Sequence, residues 1–125
     1  MNKVLVLEDN KQRIDFFNKI FKNYDYTICE TAKEAMEVLD REEFNVIFLD
    51  HDLGGLTFVD SSQEESGATV VRHIIARGSQ KDAFFMIHSQ NPVGAAYMLN
   101  LLVEYGRRAV LKSFTSIYNE NKVGF

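Results

Sequence analysis

Apolar residues in this chain pass five times from a short continuous run to a helical repeat. KVLVL (3–7) is a β run, and Asn10 to Phe21 follows with Ile14, Phe16, Phe17, Ile20 and Phe21 at helical spacing. Tyr24 to Cys29 is the second strand, and Thr31-Ala-Lys-Glu34 has capping-box form before a helix to about Arg41. Phe44 to Leu49 is a buried-type strand. Gly67 to Arg77 is helical through Val70, Val71, Ile74 and Ile75, and Ala83 to Ile87 is the fourth strand. Asn91-Pro92 opens a helix to about Tyr105, with Pro92 at its first position. Arg108 to Leu111 is the fifth strand, and Ser113 to about Asn119 a short last helix. Strands that alternate with helices imply a parallel sheet covered on both faces, and apolar strands without polar alternation fit such burial. The expected architecture is a three-layer (βα)5 doubly wound sheet of flavodoxin-like strand order 2-1-3-4-5, with residues 1–125 as a single domain.

At 125 residues the chain is long enough for one substantial core. No apolar run approaches the roughly 20 residues that span a bilayer. MNKVLVLEDN reads as a strand with acidic residues behind it rather than a signal peptide. Cys29 is the single cysteine, expected as a buried structural thiol. These features suit a reducing cytoplasm. The net charge of −4 is unevenly placed: residues 1–65 hold seven basic and fifteen acidic residues, and residues 66–125 seven and three. Solvated helix faces account for part of this. An acidic cation pocket from the first half, faced by basic groups of the second, accounts for it more sharply. There is no broad basic stripe for nucleic acid. Residues 54–66, GGLTFVDSSQEES, form a polar loop longer than most in a compact domain, which points to binding.

Open parallel sheets bind ligands beyond the carboxyl ends of their strands. Strand one ends at Glu8 and Asp9, strand three at Asp50, His51 and Asp52, strand four at His88, Ser89 and Gln90, and strand five at Lys112 and Ser113. Carboxylates gathered in a partly buried cleft repel, and a divalent cation relieves that repulsion. Oxygen ligands with retained water favour Mg²⁺. A cation held by Asp9 and Asp50 leaves positions for a phosphoryl oxygen, with Lys112 and Ser89 as further partners.

On Glu8-Asp9, Asp50 after VIFL, Ser89 and Lys112, the chain resembles the receiver domain of two-component response regulators over nearly its whole length. The resemblance implies that the acidic pair and Asp50 bind Mg²⁺. It also implies that Asp50 accepts a phosphoryl group contacted by Ser89 and Lys112, and that the backbone carbonyl of Asp52 completes the metal shell. Departures accompany the match. Ser113 follows Lys112 where receivers usually have proline, and Leu53-Gly54-Gly55 replaces the usual LPG turn. His51, His88, the long loop and the run HSQNPVG (88–94) have no counterpart in an ordinary receiver. They resemble the divergent branch called the cyclic-phosphate-processing receiver-like domain, with its DHDLGG-type and HSxNPxG-type motifs. Membership implies action on cyclic phosphates at RNA ends or on nucleotides.

Such a reaction needs a water activated on one side and a protonated leaving oxygen on the other, and two imidazoles near neutral pKa can share the roles. Either His51 or His88 fits either role. Asp52 orients an imidazole or serves as a metal ligand. Asn91 donates to phosphate or caps its helix, whose N-terminus would face a bound anion. Gly54 and Gly55 allow close backbone approach or only a tight turn. His73, on the helix after the loop, is expected to be non-catalytic.

Two other classes stand beside the hydrolase. One is a phospho-accepting switch, modified at Asp50 and read by a protein partner at the strand-five face. The other is a catalytically idle interaction module. The aspartate-nucleophile phosphatase pattern fits poorly, because Gly54 stands where those enzymes want Thr or Val, and because their motif lies on the first strand. Ala95, Ala96, Tyr97 and Met98 serve equally as core or as an exposed apolar dimer face. Without an output domain, a stand-alone protein is expected.

Overall fold

The computed structural model describes residues 3–53, 60, 62 and 64–122. Five strands and five helices alternate: β1 Lys3–Leu7, α1 Lys11–Ile20, β2 Asp25–Cys29, α2 Ala32–Arg41, β3 Val46–Leu49, α3 Gly67–Arg77, β4 Phe84–Ile87, α4 Pro92–Glu104, β5 Arg108–Leu111 and α5 Phe114–Lys122. The strands are all parallel in the order β2-β1-β3-β4-β5, as the alternating pattern implies.

Each central strand divides its side chains between two layers, because successive residues point to opposite faces. Leu5 and Leu7 of β1, Ile47 and Leu49 of β3, and Phe85 and Ile87 of β4 pack under α2, α3 and α4. Val4 and Val6, Phe48, and Met86 pack under α1 and α5, with Phe17 and Ile117. This parity decides where the residues that follow each strand point.

Local sequence sets the helix ends. Asn10, Thr31, Ser66 and Asn91 each accept a backbone N–H three residues on. Gly78 closes α3 in the left-handed region at φ 62°, which glycine adopts at no steric cost. The last helix runs on to Lys122, past the expected end near Asn119, with Ile117 buried beneath it and Ser113 Oγ accepting from Ser116 N at 3.1 Å. In α4, Ala95 and Met98 are core, whereas Ala96 and Tyr97 face solvent, so the four residues do not form one exposed surface. The β5 edge is less covered than the other strands, with Val110 and Leu111 exposed. Cys29 is buried, and burial, followed by the nearby Glu34 carboxylate, pushes its thiol up to about 12, consistent with an inert structural role. Among the described residues, no helix is long and apolar enough to cross a membrane.

Candidate active site

The carboxyl ends of β1 and β3 lie side by side, with Asp50 N donating to Leu7 O at 3.1 Å. Ligand atoms of Glu8, Asp9 and Asp50 consequently fall within 4.8 Å of one another, with Glu8 and Asp50 buried and Asp9 half-buried. Burial first, then the Glu8 charge, pushes the Asp50 carboxyl up to about 8. Glu8 moves the other way. Its burial favours the neutral acid, but a hydrogen bond and charge from His88, a backbone N–H from Asn10 and the Arg13 guanidinium together hold it below the ordinary range. The donor set is all oxygen and carries surplus negative charge, the chemistry a hard divalent cation such as Mg²⁺ fits.

His88 and His51, expected to share one phosphate, belong to different layers. His88 follows Met86 in parity and joins the α1 side. Its Nε2 lies 2.9 Å from Glu8 Oε1, and its ring packs 5.5 Å from Phe17 and 6.4 Å from Phe48. Among the described residues, its buried Nδ1 has no hydrogen-bond partner. The Glu8 carboxylate accepts, so the proton at this contact sits on His88 Nε2.

His51 follows Leu49 in parity and faces α4. Its Nδ1 lies 2.9 Å from Asp52 Oδ1, and the same oxygen accepts from Asn91 Nδ2 at 3.1 Å. The Asp52 carboxylate accepts, so it calls for a proton on His51 Nδ1, and Asn91 Nδ2 lies 3.4 Å from that same ring nitrogen. Two glycines make this packing possible. A Cβ on Gly94 would fall 2.5 Å from His51 Cγ, and one on Gly67 would fall 2.1 Å from the Asp50 carbonyl oxygen. The start of α3 is tied to the end of β3 by Gly67 N donating to His51 O at 2.9 Å and by a bridge between Asp52 and Ser66.

Asn91 does both kinds of work at once: its Oδ1 caps α4 by accepting from Gly94 N at 3.0 Å while its Nδ2 reaches Asp52. The cap and Pro92 together reduce the donors that the helix start offers an anion. Ser89 is half-buried, and its Oγ accepts from Asn91 N at 3.1 Å. Lys112 bonds through Nζ to Glu120 of α5. A basic group also reaches the acidic cluster from the first half of the chain: Arg13 Nη1 lies 3.6 Å from Glu8 Oε1, and its guanidinium sits 5.3 Å from the Phe114 ring centroid. Sequence reading passes over Arg13, although its place in the first turn after Glu8-Asp9-Asn10 is a usable signal. Asp52 offers its carboxylate to His51 and Asn91, so the three carboxylates that converge are Glu8, Asp9 and Asp50. Gly54 and Gly55 lie outside the described residues. His73 joins α3 to α2 through Asp40, with Nε2 and Oδ1 2.8 Å apart.

Solved structures share this architecture. The response regulator protein TrrA of Thermotoga maritima, in complex with Mg(2+)-BeF, is 21% identical with a TM-score of 0.63, covering 98% of this chain and 96% of that one. The receiver domain of the sensor histidine kinase PA1611 of Pseudomonas aeruginosa, with a magnesium ion coordinated in its active site cleft, is 16% identical with a TM-score of 0.66, covering 98% and 93%. A CheY-like receiver domain protein of Methanospirillum hungatei is 17% identical with a TM-score of 0.62, covering 98% and 90%. Among curated proteins, none matches the sequence. A family model described as the cyclic-phosphate processing receiver domain matches residues 3–104, a span that holds both histidine motifs and the whole acidic cluster. With that match the fold and the family agree, and the chain belongs to the cyclic-phosphate processing receiver domain family.

Proposed function

We propose that the protein opens a cyclic phosphodiester at an RNA end or on a nucleotide, by hydrolysis with a divalent cation. The observation that carries this reading is the His51–Asp52–Asn91 hydrogen-bonded set at the end of the same strand that supplies Asp50. A phospho-accepting switch has use for Asp50 but none for an imidazole held in one tautomer by a carboxylate.

Glu8, Asp9 and Asp50 would hold Mg²⁺, and a bound ion supplies charge neutralisation at the phosphate. The remaining chemistry belongs to the chain. His51 Nε2 takes a proton from the attacking water as the water oxygen bonds to phosphorus. The bond from phosphorus to one ribose oxygen breaks, and the imidazolium returns the proton to that oxygen. Asp52 stabilises the charged ring and holds its orientation. His51 is fully buried, so this reading requires a movement that brings its Nε2 into reach of substrate. Ser89 and Lys112 serve as phosphate contacts, Lys112 exchanging its Glu120 partner for the anion. His88 acts through Glu8 as a positioning residue, fixing one metal-binding carboxylate from beneath.

The test is turnover of an oligonucleotide with a 2′,3′-cyclic phosphate end in Mg²⁺. His51→Ala is expected to abolish it, and Asp52→Asn to lower it by about 10²-fold or more. His88→Ala is expected to weaken Mg²⁺ binding, with activity recovered in part at higher Mg²⁺. Full activity in His51→Ala would overturn the assignment.

A further inference from the structure

Beside the site, α4 leaves an apolar pair uncovered: Val93 is 80% exposed and Tyr97 37% exposed. Standing four residues apart, they share one face of the helix. Gly94, which packs on His51, lies between them in sequence. The rise of about 1.5 Å per residue puts Tyr97 roughly one turn along the helix from that contact. The phenol is held from α3. Arg72 Nη1 donates to the Tyr97 hydroxyl at 3.2 Å, and the guanidinium carbon lies 5.8 Å from the ring centroid. Arg72 is itself anchored by Nη2 on Thr69 Oγ1 at 3.2 Å, in the first turn of the helix whose Gly67 packs on the Asp50 carbonyl. Both supports of this aromatic face are therefore elements that also shape the site.

A tie between α3 and α4 explains the Arg72–Tyr97 contact. It gives no reason for a bare valine in the adjoining turn, on the same face and next to the glycine that touches His51. A ring hydrogen-bonded through its hydroxyl, an apolar neighbour and a guanidinium, on two helices whose first turns border the proposed site, match one chemical shape: a flat base joined through a sugar to a phosphate. We infer that Val93, Tyr97 and Arg72 form a platform for the nucleobase of the ribonucleotide that bears the cyclic phosphate. The inference rests on the function proposed above and names the part of the substrate that the acidic site does not touch. Stacking uses the π-face that every base has, so the platform selects nucleotides over other cyclic phosphodiesters while tolerating all four bases.

Calorimetric titration in Mg²⁺ tests it, with a nucleoside 2′,3′-cyclic phosphate and the base-free ribose 2′,3′-cyclic phosphate as ligands. The wild type is expected to bind the nucleoside compound more tightly. Tyr97→Ala should weaken it about tenfold or more while leaving the base-free compound unchanged. Tyr97→Phe, which keeps the ring, should stay within a few-fold of wild type. Equal affinity of the wild type for both ligands, or equal loss of both in Tyr97→Ala, would overturn the platform. Base-dependent binding without turnover keeps the platform and removes the hydrolase. Binding of neither ligand overturns both.

Discussion

Asp50 and Glu8 share a buried space in which both cannot be charged cheaply, and their environments separate them. His88 and Arg13 favour the Glu8 anion, while burial and that anion push Asp50 up to about 8. Between pH 4 and 8 the metal-free native state therefore carries a proton on Asp50 that the unfolded chain has lost. Because the native state binds more protons than the unfolded state, stability falls as pH rises through that window. Urea melts in chelator at pH 5 and pH 7 should show this fall, and Asp50→Asn should flatten it. An unchanged slope in the variant would refute the assignment. The same proton must leave when a cation binds. Between about pH 5 and 7, Mg²⁺ binding is expected to release close to one proton per ion, read as a dependence of calorimetric heat on buffer ionisation enthalpy.

Gly94 is the second residue whose chemistry is local. Its missing side chain is occupied by the His51 ring, with built Cβ contacts of 2.5 Å. Gly94→Ala forces the ring or the helix to move, which for such overpacking costs about 1–3 kcal/mol. The expected outcome is a lowered melting temperature together with loss of turnover. An alanine variant of wild-type stability and activity would show that His51 is not clamped there.

At the scale of elements, most of the fold was legible. Capping at Thr31 and Asn91, Pro92 at its helix start and unbroken apolar strands each report a local energy that tertiary packing does not reverse. The acidic cluster was legible too, because strand ends converge in any parallel sheet. The layer of each histidine was present in the sequence but easily passed over: two residues on from Leu49 gives His51, and two on from Met86 gives His88, and those residues belong to opposite cores. The Lys112–Glu120 pair was hidden, since Glu120 lies past the expected end of the last helix near Asn119. Asn91 shows how one element serves both levels, capping α4 and holding Asp52. Asn91→Ala is expected to cost about 1 kcal/mol of stability and to lower activity. Asn91→Ser, which can still cap, should recover the stability without the activity. Recovery of both by serine would show that the Asp52 contact is dispensable.

At the scale of the whole molecule, the sheet brings three carboxylates from two strands into one place at the expense of repulsion, with His88 and Arg13 absorbing only part of it. A fold so arranged is stabilised by any ligand that the unfolded chain cannot assemble. A cation that binds only the native state adds RT ln(1 + [L]/Kd), about 2.7 kcal/mol at a hundredfold excess over Kd. For a domain of this size that raises the melting temperature by on the order of 10 °C. Thermal melts with and without Mg²⁺ should show this rise, and a chelator should reverse it. Asp50→Asn and Glu8→Gln should remove most of it. His88→Ala should shrink it, because Glu8 then loses the donor that orients it. Lys112→Ala should leave it intact, because its ammonium bonds to Glu120 rather than competing for the cluster. A Mg²⁺ shift that survived the loss of Asp50 would place the cation elsewhere on the protein and leave the acidic cleft without its proposed occupant.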